Sequence, residues 1–163
     1  MELFLSFAFF AFYKDSSDVY AVRESASRIL ISKLSSGASA EPTVLNVSGA
    51  DRIFGNGPLL GVSLGGSTLC FYDWSGSCLI RVIDVSAMAV NWSPCGRFVA
   101  ILTDDGCFVL SVNQQILASP HSFPAGEDGI EDSMELVDEL DVCLKSLSWI
   151  KNNGNFSWLF CNL

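Results

Sequence analysis

A pattern of three apolar strands separated by tight polar turns recurs along this chain at a spacing of about 40 residues, and few folds tolerate such a pattern. The clearest copy runs from Met88 to Val112, with Trp92-Ser-Pro-Cys-Gly96 as its first turn and Thr103-Asp-Asp-Gly106 as its second. An earlier copy joins Phe10-Ala-Phe12, Tyr20-Ala-Val-Arg23 and Arg28-Ile-Leu-Ile-Ser32. Between them stand Arg52-Ile-Phe54, Leu59-Leu-Gly-Val-Ser63 and Thr68 to Trp74. Equivalent third strands centre on Ile31, Phe71 and Phe108, in steps of 40 and 37 residues. That period and strand count are those of a β-propeller blade, a four-stranded sheet that cannot bury both faces alone and must stack on its neighbours. Closing a ring takes about four to eight blades. The sequence therefore reads as all-β, a partial propeller of about three antiparallel blades occupying residues 1–163 as a single region.

Val, Ile, Phe and Tyr alternate with Gly, Ser and Asp turns, and this predicts strands near 9–13, 19–23, 28–32, 43–47, 51–54, 59–63, 68–73, 78–84, 87–92, 97–102, 106–112 and 145–150. The small residues of 35–42 predict a flexible loop between strands or blades. From Pro120 the pattern breaks. Ile130, Met134, Val137 and Leu140 fall on one face at helical spacing with acids opposite, so 120–141 is expected to be an inserted acidic segment carrying one amphipathic helix. Such an insertion also accounts for the 57 residues between Trp92 and Trp149, each expected at the end of a first strand.

A net charge of −9, with only nine Lys and Arg in the chain, argues against a nucleic-acid partner, because phosphate contacts need clustered cations. Eight of the eighteen acidic residues lie between Glu127 and Asp141, which leaves the blades nearly balanced. Glu127, Asp128, Glu131, Asp132 and Glu135 are therefore the candidate docking residues, for a basic partner; the plainer reading is a solvated helix face with its acids near the amino-terminal dipole. Their order does not match the Asp-x-Asp-x-Asp-Gly of a calcium loop. The six cysteines contain no Cys-x-x-Cys and no nearby pair of histidines, so no zinc site is expected, and several sit in apolar strands as small buried hydrophobes. Reduced thiols point to the cytosol. The stretch Leu3 to Tyr13 is too short to span a bilayer and follows Glu2 where a signal peptide needs positive charge, so it is read as a buried strand with an atypical extension.

Motifs that would carry chemistry fail on context. Gly61-Val-Ser-Leu-Gly65 has the form of a hydrolase nucleophile elbow, but a strand follows it where a helix is required, and the single histidine, His121, falls in a loop. A glycine-rich hairpin is expected instead. Gly55-Asn-Gly57 lacks the helix that would cradle phosphate. Trp74, Trp92 and Trp149 are expected in core or interblade packing, and Asp73 as a turn acid that bonds backbone or turn groups. No catalytic residues, cofactor, metal or small-molecule substrate are expected, and the chain is read as non-enzymatic.

Four stretches resemble the second WD-repeat propeller region of the coatomer beta-prime family: Tyr20 to Ser25, Leu59-Leu-Gly-Val62 leading to Phe71-Tyr-Asp-Trp74, Leu79 to Ile83, and Glu127 to Val137. The acidic run with its Gly and the pattern after it is the most specific of the four. The likeness covers about residues 20–140 and the strand carrying Trp149; residues 1–9 and the tail from Lys151 depart from it. What the resemblance implies is a structural part of the COPI vesicle coat, acting in protein transport between Golgi and endoplasmic reticulum. It also implies other coatomer subunits as partners, a membrane met only through the coat, and a cytoplasmic place on Golgi membranes and coated vesicles. In that family cargo tails are read by a different propeller, so no cargo-binding residue carries over. Three alternatives stay open: a generic cytosolic WD-repeat scaffold, a truncated copy without the family's role, and a secreted disulfide-linked β protein. Only the last would give meaning to the sequons at Asn46, Asn91 and Asn155. An unclosed array would expose a sheet edge and an apolar face, so poor solubility of the isolated chain is expected.

Overall fold

The computed structural model describes residues 9–12, 18–34, 41–141, 144, 146–152 and 155–161. Among the described residues, fourteen strands form three four-stranded antiparallel sheets and one two-stranded sheet. The first sheet is built from β1 (Phe9–Phe12), β2 (Val19–Ser25), β3 (Arg28–Lys33) and β4 (Thr43–Asn46), in that spatial order. The second contains β5 (Ala50–Phe54), β6 (Leu60–Leu64), β7 (Thr68–Tyr72) and β8 (Leu79–Ile83). The third contains β9 (Ala89–Trp92), β10 (Phe98–Leu102), β11 (Cys107–Val112) and β12 (Met134–Leu140). Then β13 (Ser146–Asn152) pairs with β14 (Asn155–Cys161). Each of the three full sheets is a simple up-and-down meander, the topology of a propeller blade. The third strands β3, β7 and β11 carry Ile31, Phe71 and Phe108, so the repeat read from the sequence coincides with the blades.

Successive residues of the middle strands serve two different interfaces, which is why they are almost uniformly apolar. In β10, Val99 and Ile101 join a core shared with Leu69 and Phe71 of the second blade. Their neighbours Ala100 and Leu102 join another core with Leu144 and Leu147. In β6, Leu60 and Val62 face Ala21, Ile29 and Ile31 of the first blade, while Leu59 just before the strand belongs to the core shared with the third. A blade here is thus a sheet buried on both faces, with alternation deciding which neighbour each side chain meets. Phe71 is fully buried and meets Trp92 edge-to-face, ring centroids 5.9 Å apart and planes at 78°.

The turns recur as well. In the second blade Asp73 N–H donates to Cys78 O at 3.1 Å, Gly76 N–H to Asp73 O at 2.9 Å, and Cys78 N–H to the Asp73 carboxylate at 2.7 Å. In the third, Ser93 N–H donates to Phe98 O at 2.9 Å, Gly96 N–H to Ser93 O at 2.9 Å, and Phe98 N–H to Ser93 Oγ at 3.0 Å. Gly76 and Gly96 have φ of +70° and +68°, a conformation in which a side chain is strained. One six-residue turn therefore serves both, with an oxygen-bearing side chain at its first position and glycine at its fourth. Asp73 fills the turn-acid role expected of it. The Gly61-x-Ser-x-Gly65 stretch is strand β6 leading into a hairpin at Gly65-Gly66, both at positive φ, and Ser63 is buried in the sheet.

Two elements differ from expectation. Residues 134–140 form strand β12, not an amphipathic helix. Without them β11 would leave a row of backbone donors and acceptors unpaired, and this tertiary demand overrides the local helical spacing. As the outer strand of its blade β12 is buried only at Met134, so no clean two-residue alternation was imposed on its sequence. The helix α1 (Gln114–Ala118) lies earlier, where Asn113 accepts the Gln115 N–H and caps it. The second difference is β14, a strand where none was expected, paired with β13 throughout its length. Of the loop expected at 35–42, residues 35–40 lie outside the described residues, as do residues 1–8 of the apolar start.

Candidate functional site

The acidic segment gets its shape from the excursion between β11 and β12. Asn113 N–H donates to Ser133 O at 2.9 Å and closes its base. Within it, α1 buries Ile116 in the core between the second and third blades, and a 3-10 turn follows at Pro120–Ser122. His121 Nε2 lies 3.3 Å from Ser77 Oγ in the second blade's turn. Next, Gly126 and Gly129 exchange backbone hydrogen bonds of 2.8 and 3.2 Å, which makes Glu127 and Asp128 the two-residue tip of a tight hairpin.

That hairpin is laid along β8. Val82 N–H donates to Asp128 O at 2.9 Å, Ile130 N–H donates to Ile80 O at 2.8 Å, and Arg81 stands opposite Gly129 as an antiparallel bridge. Gly129 has φ +86°, and a Cβ there would stand 2.5 Å from Ile80 O, so only glycine allows this approach. Two further bonds fix the arrangement: Arg81 Nη1 donates to Glu131 O at 3.0 Å, and the buried Ser133 hydroxyl donates to Ile80 O at 3.0 Å. The backbone of the acidic run is thus held firmly while Glu127, Asp128, Glu131 and Asp132 stay exposed.

These four acids, together with Asp84, Arg81 and the Phe123-Pro-Ala125 wall, line one open concavity of about 740 Å³. Glu135 does not line it; that residue is exposed in β12. Four of the five expected docking residues are therefore brought together and the fifth is set apart. Sequence reasoning missed Arg81 and Asp84, because β8 reads as an ordinary strand and its contact with residues 50 positions later leaves no local signal. Five carboxylates around one guanidinium make a surface suited to a cationic partner. Among the described residues no group of three or more His, Cys, Asp or Glu is placed to hold a metal ion.

The tryptophans serve the interfaces. Trp92 is buried at the end of β9, and Trp74 Nε1 donates to Gly57 O at 2.9 Å, in a loop whose Cα packs against the Trp92 indole. Trp149 lies in the middle of β13, not at a strand end; it stacks on Phe98 at 6.3 Å and donates to Asn91 O at 3.2 Å. Cys70, Cys78, Cys95 and Cys107 are free thiols. Burial raises the pKa of Cys70, Cys78 and Cys107, with Asp84, Asp73 and Asp138 respectively adding to the rise. Cys143 and the side chain of Cys161 lie outside the described residues.

A family profile described as "COPA/B second beta-propeller" matches residues 3–157. The chain belongs to this family. Among its relatives, coatomer subunit beta' of Rattus norvegicus is 38% identical over 145 residues, 86% of this chain and 15% of the relative. Coatomer subunit beta'-1 of Oryza sativa subsp. japonica is 35% identical over 157 residues, 92% of this chain and 17% of the relative. Coatomer subunit beta'-1 of Arabidopsis thaliana is 36% identical over 154 residues, 90% and 16% respectively. This coatomer-type chain spans about a sixth of the length of the curated relatives it matches. The family match also takes in residues 3–9 and 151–157, which by sequence were expected to depart from the pattern. The blades described above are thus second-propeller blades of the COPA/B family, and the acidic hairpin is the part of them that reaches across from one blade to the next.

Proposed function

We propose that this chain is a structural component of the COPI vesicle coat, acting without chemistry of its own in protein transport between Golgi and endoplasmic reticulum. The observation that carries the reading is the family match over residues 3–157 of a chain folded into stacked meander blades. Its place would be cytoplasmic and peripheral on Golgi membranes and coated vesicles, its partners other coatomer subunits, and membrane contact indirect. No helix among the described residues is long and apolar enough to cross a bilayer. Rigid, doubly buried sheets suit such a role, since they hold a surface in fixed geometry at no ordering cost on assembly. The surface proposed for contact is the acidic rim of Glu127, Asp128, Glu131 and Asp132, without Glu135, facing a basic patch on a neighbouring subunit.

The test is quantitative affinity purification of the tagged chain from cells at low expression. Enrichment of the other coatomer subunits is expected. Reversing Glu127, Asp128, Glu131 and Asp132 to Lys should lower that enrichment several-fold while far-UV circular dichroism stays unchanged. A soluble chain that enriches no coatomer subunit would overturn the reading and leave a WD-repeat scaffold with other partners; enrichment that survives charge reversal would overturn the contact surface alone.

A further inference from the structure

The loop from β5 to β6 contains Gly55-Asn-Gly57, and the fold dictates its last two residues separately. Among the described residues Asn56 is the one non-glycine at positive φ, +64°, where Asn is one of the few side chains tolerated. Gly57 is buried on the Trp92 indole, which a Cβ would overlap, so only glycine fits. The two demands together set Asn directly before Gly, a pair in which no side chain shields the Asn amide from the next backbone nitrogen.

The residues that follow are anchored, while the peptide between Asn56 and Gly57 is not. Gly57 O accepts the Trp74 Nε1–H at 2.9 Å, a Cβ on Gly96 would stand 3.5 Å from Pro58 Cγ, and Leu59 lies in the core shared by the second and third blades. By contrast, among the described residues neither Asn56 O, nor the Gly57 N–H, nor the exposed Asn56 side chain makes a hydrogen bond. The 56–57 peptide plane can therefore turn between its two Cα atoms with no hydrogen bond to break.

We infer that Asn56 is a modification site at which the chain deamidates by itself, and that the isoaspartate formed there uncouples the second blade from the third. The Gly57 nitrogen, its proton taken by solvent base, bonds to Asn56 Cγ. The bond from Cγ to the amide nitrogen breaks, and that nitrogen takes up a proton and leaves as ammonia. Water then opens the five-membered succinimide ring. Attack at Cγ gives aspartate; attack at the main-chain carbonyl leaves Gly57 joined to Cγ and gives isoaspartate, whose backbone is one carbon longer. Aspartate keeps the loop, since Asp also tolerates positive φ. Isoaspartate does not, because the added carbon enters directly ahead of Gly57, which has no room to move against Trp92. The reaction needs only water and does not depend on membership of a coat.

Peptide mapping of the full chain, aged at mildly alkaline pH, tests this, with isoaspartate scored by electron-transfer fragmentation and Asn56 resolved from Asn153-Gly154, the chain's other Asn-Gly pair. Conversion at Asn56 is expected within about tenfold of its rate in a blocked peptide of residues 52–60, because opening at such a loop costs little. Chain carrying the isoaspartate should exchange amide hydrogens several-fold faster in 74–78 and 89–92 than fresh chain. Freshly prepared Asn56→Asp should match fresh chain, and Asn56→Gly, which suits the positive φ and has no side-chain amide, should not loosen on ageing. An Asn56 that stays intact while the peptide converts would overturn the site, by showing that the fold pins the 56–57 peptide. The coupling to the blades would be overturned by isoaspartate without faster exchange, by equal loosening of aged Asn56→Gly, or by loosening of fresh Asn56→Asp, which would trace the effect to charge and not to backbone length.

Discussion

Phe71 is sealed between the second and third blades against Trp92, so truncation leaves a cavity that rigid sheets on both sides cannot fill. Phe71→Ala is expected to cost about 3–5 kcal/mol, read as a fall in the urea midpoint at unchanged slope. Gly129→Ala should act locally, since its methyl would be driven into Ile80 O: exchange at Ile80 to Val82 should quicken, while Gly126→Ala, where the nearest atom stands 3.9 Å away, changes little. The titrating groups give a signed pH dependence. Burial raises the thiols of Cys70, Cys78 and Cys107 above their ordinary 9.0 and raises Tyr72 from 10.0 to about 12. In each case the folded state holds its proton to higher pH than the unfolded chain, so the stabilisation is complete below pH 9 and declines as pH rises through the alkaline range. Tyr72→Phe should flatten the part of that decline between pH 10 and 12 in urea titrations. A thiol reagent at neutral pH should label Cys95 quickly and Cys70, Cys78 and Cys107 slowly, because only Cys95 of these four is exposed.

The same six-residue turn joins β7 to β8 and β9 to β10, so Asp73 and Ser93 share a position within the turn but differ in strength, because a carboxylate accepts a stronger bond than a hydroxyl. Asp73→Ala is expected to destabilise by about 1–3 kcal/mol and Ser93→Ala by about 1 kcal/mol, with faster amide exchange at Cys78 and Phe98 respectively. Such turns are legible in sequence, since the oxygen-bearing residue and the glycine fall at fixed positions inside one short stretch. Most strands were legible for a similar reason: the middle of each blade is buried on both faces, and its Val, Ile and Phe have no other use. The stretch from Ile130 to Leu140 was not. There the local signal, apolar residues three and four apart, indicates a helix, while the deciding term is the unpaired edge of β11, which no window on the sequence contains. The candidate site divides in the same way. Its acids stand out as a run, but Arg81 and Asp84 join them only through pairing across blades.

Stacked blades share cores only with their neighbours, so damage should travel one interface at a time. Val62→Ala empties space in the core between the first two blades, and it is expected to speed exchange in β3 and β6 while sparing β10 and β11. Spread of faster exchange across all three sheets would instead show one cooperative unit. The number of blades was readable from the period alone, because each repeat carries its own turns and apolar strands. What joins them was not, since it rests on long excursions such as 113–133. The lapping of one blade's excursion over the blade before it gives the array a direction in time as well as in space. During synthesis β8 leaves the ribosome about 45 residues ahead of the segment that seals it, a delay of roughly 2–9 s at ordinary elongation rates. For those seconds the nascent chain carries an open sheet edge that is absent from the finished protein, and a chaperone that shields extended apolar strands would find its substrate there.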